Sequence, residues 1–218
     1  MLGRDKQDAS QFGNAAFCEG IQEGQVSKAL CDRAILRKEL ASYVPYNEQE
    51  ALDKQVMLAA LDADSNCFNR SAQAHFTCSA WVVDPQRTQT IMVFHNIYHS
   101  WSWIGGHADG CCDLRAVALR ELGEETGVTQ ARSEGSIFSL EVLTVDGHEK
   151  HGAYVSSHLH LNVTYLFEVD PGEPLRIKPD ENSGVKWVPF KEVIALSDEP
   201  WIRERIYAKL LAKSGFKS

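Results

Sequence analysis

The chain has 218 residues, which suits one well-cored domain plus an extension and is tight for two. With 22 basic against 30 acidic residues the formal net charge is -8, so there is no basic stripe for duplex nucleic acid or an anionic membrane, and an anionic substrate would need a cation beside it. No stretch approaches the roughly 18 to 20 apolar residues of a membrane span, and the start has no apolar signal-like core, so a cytoplasmic protein is expected.

Residues 1–26 are rich in Gly, Gln, Asp and Ser and read as a loose arm. Helical spacing follows over Ser27–Tyr43 (Ala29, Leu30, Ile35, Leu36, Leu40), with Pro45 where that helix stops. A second helix opens at Asn47, with Glu50 three residues on as a capping pair, and carries Leu52, Val56, Leu58, Ala59 and Leu61. These two form a helical hairpin. Its apolar stripes should pack on the rest of the chain or on a second subunit of a homodimer. The expected division is an arm and helical extension over 1–66 and a main domain over 67–218.

From residue 67 the pattern changes to β-rich runs, HFTCSAWVVD (75–84) and QTIMVFHNI (89–97), separated by a turn at Pro85–Thr88. A central helix follows. SIFSLEVLTVDG (136–147), HLHLNVTYLFEV (158–169) and GVKWVPF (184–190) then read as strands, and a closing helix spans about 199–213. This order indicates an α/β or α+β layer with a mixed sheet. The six cysteines show no CxxC pair and no regular spacing, so reduced thiols are expected rather than a disulfide framework or zinc site.

The central helix carries the chemistry. At about 100° per residue, Glu125 stands near +40° and Glu124 near -60° of Glu121, while Leu114 and Val117 fall near +20° and -40°. The three acids therefore continue an apolar stripe, and they crowd the last turn before Gly127, a glycine C-cap where the helix dipole disfavours negative charge. One reading is a solvated acidic face paired with Arg115 and Arg120. The other is a hard divalent ion, Mg²⁺ or Mn²⁺, held by carboxylate oxygens. Asp113 is placed to N-cap this helix.

The segment resembles the Nudix box, Gly, five residues, Glu, seven residues, then Arg-Glu-apolar-x-Glu-Glu-x-Gly-apolar. Here Gly106 begins it, Cys112 stands in the first Glu position, and Arg120, Glu121, Leu122, Glu124, Glu125, Gly127 and Val128 close it. The surrounding elements from about 72 to 213 are similar in order to the Nudix α/β/α sandwich. The resemblance implies a pyrophosphatase-type hydrolase of a nucleoside diphosphate linked to another group. It implies Mg²⁺ or Mn²⁺ on Glu121, Glu124 and Glu125 with a backbone carbonyl at Gly105 or Gly106. Arg120 would orient a glutamate. The general base is not legible, and Asp146, Glu149, Asp180 and Glu181 are loop candidates.

Cys112 departs from the pattern by removing a carboxylate that in the family supports the loop and helix or joins the outer metal sphere, with Asp109 and Asp113 as candidates to compensate. The residues alone read Cys111 and Cys112 as small apolar side chains, with a vicinal disulfide or redox switch as the alternative. Ile104 stands where the family often has proline.

Strand alternation places His158, His160, Asn162 and Thr164 on one face and Leu159, Leu161, Val163, Tyr165 and Phe167 on the other. The polar set reads as a solvated face or a substrate-pocket wall, and a zinc site lacks a third ligand at sequence spacing. His95, Tyr98, His99, Trp101 and Trp103 precede the glycines, as substrate contacts or as packing under a loop. The expected partner is a small anionic diphosphate. The competing function is a non-catalytic ligand-binding or sensor module on the same fold, for which Cys112 and the helical extension speak.

Overall fold

A computed structural model describes residues 19–20, 33–97, 99–150, 152–197 and 199–216. Most of the expected arm and the first part of the helix predicted from Ser27 lie outside them.

In chain order the elements are β1 (Glu19–Gly20), α1 (Arg33–Ser42), α2 (Glu48–Ala63), β2 (Ala74–Val83), β3 (Gln89–His95), β4 (Ser100–Ser102), β5 (Ile104–His107) and α3 (Leu114–Thr126). Then come β6 (Gln130–Val145), β7 (His148–Lys150), β8 (Ala153–Val155), β9 (His158–Glu168), β10 (Asn182–Pro189), α4 (Phe190–Val193), a π-helical turn (Ile202–Tyr207) and α5 (Ala208–Lys213). The mixed sheet runs β1-β6-β9-β2-β3-β10, with β5 also on β2 and β4 also on β3. Among the described residues only β2 and β9 pair in parallel, and their register sets His75 beside His160 and Thr77 beside Asn162.

Alternation divides β2 and β9 between two cores. Phe76, Cys78, Ala80 and Val82 join Leu161, Val163 and Phe167 against α1, α2 and α3, through Leu36, Leu40, Met57, Leu61, Leu114 and Val117. Trp81, Val83 and Leu166 face the other way, against Phe190, Val193, Tyr207 and Leu210. The result is the expected α/β/α sandwich with N-terminal helices. No helix among the described residues is long and apolar enough to cross a membrane.

Helix α2 packs through polar groups as well as apolar ones. Gln49 Nε2 donates to Leu140 O at 3.1 Å and Val142 N–H donates to Asp53 at 2.9 Å, so the helix occupies backbone groups on the outer edge of β6. That covers an edge open to strand addition. Asn47 caps the helix by accepting the Glu50 N–H at 3.0 Å, as expected. The Glu50 carboxylate does not return to Asn47. It is fully buried and takes hydrogen bonds from Tyr43 Oη at 2.6 Å, Tyr46 N at 2.7 Å and Ser139 Oγ at 2.8 Å, with Lys209 Nζ at 3.2 Å. Burial alone would raise that carboxyl, yet Lys209, Tyr43, Tyr46 and Lys213 together hold it down to about 2. The apolar stripe read from sequence is corrected in part: Leu61 is buried, but Leu52 is 62% and Val56 43% exposed, because Gln49 and Glu50 take the sheet-facing side.

Candidate active site

The site begins where β5 lies antiparallel on β2, with Gly105 opposite Ser79 and Gly106 opposite Cys78. A Cβ on Gly105 would stand 2.7 Å from Cys78 O and Ser79 Oγ, and one on Gly106 would stand 2.5 Å from Glu121 Cδ. Both positions need glycine so that strand and carboxylate can close on each other. Helix α3 is fixed at both ends as read from sequence. Asp113 accepts the Ala116 N–H at 3.0 Å, and Gly127, at φ 75°, closes the last turn on Gly123 O.

The apolar stripe of α3 does lead into acids. Leu114, Val117 and Leu122 are buried, and Glu125 is only 4% exposed. Glu125 accepts the Gly105 N–H at 3.1 Å, and burial pushes its carboxyl up to about 8. Glu121 is raised too, by burial, against the opposing pull of Arg120, which donates to it at 2.9 Å. Glu124 is not gathered with these two. It lies toward solvent, paired with Lys178 at 3.0 Å and Arg120 at 3.6 Å.

The third carboxylate of the cluster comes from a loop. Glu121, Glu125 and Glu181 each offer an oxygen, all within 4.8 Å of one another. Asn182, fully buried, ties that loop down: its Nδ2 donates to Glu125 O at 2.9 Å and its Oδ1 accepts the Lys178 N–H at 3.2 Å. Lys178 Nζ bridges Glu124 and Glu181, at 3.0 and 2.9 Å. Glu181 stood among four loop candidates in the sequence. Nothing in the sequence pattern singled out Asn182 or Lys178, whose relevance follows from where the loop crosses α3.

The expectation of reduced thiols, with a vicinal disulfide as the alternative, does not hold: Cys112 is disulfide-bonded, whereas Cys111, Cys67 and Cys78 are free, so Cys111 and Cys112 are not paired with each other. Disulfide connectivity leaves no mark in sequence spacing. Nor do Asp109 and Asp113 replace the missing carboxylate, since Asp109 is held by Arg70 at 2.6 Å and Asp113 caps α3.

On β9 the predicted faces hold, but the polar face is neither a solvated surface nor a pocket wall along its whole length. Asn162 and Thr164 are buried and spend their donors on Glu141 Oε2, each at 2.8 Å. His158 and His160 remain half-buried at the strand's start, beside His75. His99 is exposed in a turn with φ 48°. Trp101 packs edge-on against Phe94, under Lys186 Nζ at 4.2 Å from its ring centre. Tyr98 lies outside the described residues.

A model of the NUDIX domain matches residues 75–210, more than half of the chain. The chain belongs to the Nudix family. The match takes in the Nudix box on β5 and α3 but not α1 and α2, and with it comes the class of enzyme, a pyrophosphohydrolase. No curated protein matches the chain. Among solved structures, a C. elegans Ap4A hydrolase is 18% identical with a TM-score of 0.48, covering 65% of this chain and 98% of its own. The NUDIX domain of Shewanella oneidensis NrtR, complexed with ADP ribose, is 18% identical with a TM-score of 0.45, covering 72% and 95%. The E. coli dihydroneopterin triphosphate pyrophosphohydrolase is 12% identical with a TM-score of 0.47, covering 63% and 94%. Likeness at this level says nothing of substrate.

Proposed function

We propose that this Nudix chain is a divalent-metal-dependent hydrolase that cleaves the pyrophosphate of a nucleoside diphosphate linked to another moiety, or of a similar small diphosphate. The observation that carries this reading is the convergence of Glu121, Glu125 and Glu181 beneath the glycine strand. Three oxygen donors, one of them buried with its carboxyl pushed to about 8, fit a hard cation such as Mg²⁺ or Mn²⁺. Glu121, Glu125 and Glu181 would hold it, with Glu124 and the Gly106 carbonyl as adjoining donors. When bound, such an ion neutralises charge on the phosphate oxygens and activates water.

The chain's own groups do the remainder. The Gly105 N–H fixes Glu125, and Arg120 fixes Glu121, so that the donors are aimed before substrate arrives. Lys178 and Arg120 place two positive charges at the rim beside Glu124, where an anionic diphosphate must enter an otherwise acidic site. Phosphate release should be measured across nucleotide sugars, dinucleotides, nucleoside triphosphates and non-nucleotide diphosphates, with and without metal. Metal-dependent turnover of at least one class is expected, and none on any would contradict the reading.

A further inference from the structure

A second group of metal-ligating side chains shares no residue with the carboxylate centre. His75 on β2 and His160 on β9 stand opposite each other across the parallel pair, and His158 is two residues before His160 on the same face. One ring nitrogen from each lies within 4.8 Å of the others. His107, at the end of β5, adds a fourth imidazole, with ring centres 5.3 Å from His75 and 4.9 Å from His160. A sequence reading that sought a third ligand downstream of His160 could not find this one, which sits 83 residues before His158 on the neighbouring strand.

The tautomers follow from the carbonyls. His75 Nδ1 is 2.9 Å from Ala72 O and His158 Nδ1 is 2.8 Å from Ser156 O, and a carbonyl can only accept, so both Nδ1 atoms carry hydrogen. In the neutral rings each Nε2 then presents a lone pair, the arrangement in which a backbone carbonyl orients a metal-bound imidazole from behind. His75 is 2% exposed, and its Nε2 has no hydrogen-bond partner among the described residues, which is costly for a buried acceptor. The Nε2 atoms of His158 and His160 are 3.2 Å apart. Two imidazole nitrogens on a tetrahedral zinc, at about 2.0–2.1 Å from the ion, stand about 3.3 Å from each other. With His158 Nε2 a lone pair, that contact needs a proton from His160 Nε2, and this shared proton occupies the place a cation would take.

We propose that His75, His158 and His160 hold a transition-metal ion of the zinc class through their Nε2 atoms. Binding moves the His160 proton to its Nδ1 and satisfies the orphaned His75 Nε2. Three imidazoles leave one tetrahedral position open to water. Burial, then the neighbouring imidazoles, lowers the His160 pKa to about 3, and burial lowers that of His75, so these two rings favour the neutral form. The fixed charges that reach His75, Arg70 and Asp109, are paired with each other at 2.6 Å and largely offset.

The test is zinc binding to the full chain, stripped with chelator and titrated in millimolar Mg²⁺ to occupy the carboxylates. Stoichiometry and affinity are read by competition with a chromophoric chelator. Wild type should take up one tight equivalent with a rise in Tm, and so should Glu125→Gln, whose change lies in the other cluster. The His158→Ala/His160→Ala variant, at two half-buried positions, should lose on the order of 100-fold in affinity, and its zinc-free Tm reports whether it folds. His75→Gln is the second arm and should lose affinity likewise. No tight zinc in wild type, or equal zinc in both histidine variants, would overturn the proposal and leave a stack of neutral imidazoles.

Discussion

Glu125 concentrates the electrostatic cost of the centre in one side chain. Its carboxyl is raised from an ordinary value of 4.5 to about 8, so the folded chain prefers the protonated form. That contribution to stability is complete below about 4.5 and is lost as pH rises through about 8. In metal-free protein, the Tm of wild type relative to Glu125→Gln should therefore fall between these limits, by differential scanning fluorimetry at matched pH. A difference that stays flat would mean the buried carboxyl is not raised. Glu50 does not mask this effect, because its lowered carboxyl stays ionised throughout that window. Glu125→Gln should also abolish turnover at nearly unchanged side-chain volume, and wild-type rates would remove the box from catalysis. Arg120 and Glu121 act as a pair at this scale, 2.9 Å apart, so Arg120→Ala should weaken metal binding as well as substrate capture.

The loop before β10 and helix α2 show how elements position those residues. Asn182 has lost all solvent and bonds both the end of α3 and the start of its own loop, so Asn182→Ala leaves the Glu125 carbonyl and the Lys178 N–H without these partners. A cost of about 1–3 kcal/mol is expected in stability. If Asn182 positions Glu181, Mg²⁺ affinity should drop by about tenfold in a chain that still folds at low temperature, whereas a purely structural role would lower Tm and leave affinity alone. Helix α2 covers the edge of β6 and contributes Met57 and Leu61 to the core around α3. Removing residues 1–66 should consequently expose that edge and core and cause aggregation, read by light scattering; a monodisperse, active truncation would contradict this. Much at this scale was legible. The alternation in 158–169 and the Asp113 and Gly127 caps leave local signals in spacing and turn chemistry. The Glu50 network did not, because a buried Glu on a helix reads as a surface residue until Lys209, 159 residues away, is seen beside it. The short strands β4, β5, β7 and β8 were missed for a related reason: at three or four residues each they carry no periodicity, and pairing with a neighbour defines them.

For the whole molecule, one mixed sheet supports two separate clusters of side chains that could ligate a metal ion: carboxylates between β5, α3 and the loop before β10, and imidazoles at the starts of β2 and β9. The box helix was readable because its carboxylates are local, three to four residues apart. Glu181 was one of four loop candidates that spacing could not separate and His75 was not singled out, since each reaches its cluster only through tertiary pairing, one by a loop crossing and the other by a parallel strand register. Acidic overall charge and an anionic substrate are compatible on this account only if a cation occupies the first cluster. Isothermal titration of Mg²⁺ into wild type, Glu125→Gln and Glu181→Gln tests that most directly. The account predicts one site in wild type, weakened at least about tenfold in each variant with the fold retained; equal Mg²⁺ affinity in all three, or no binding in wild type, would contradict it.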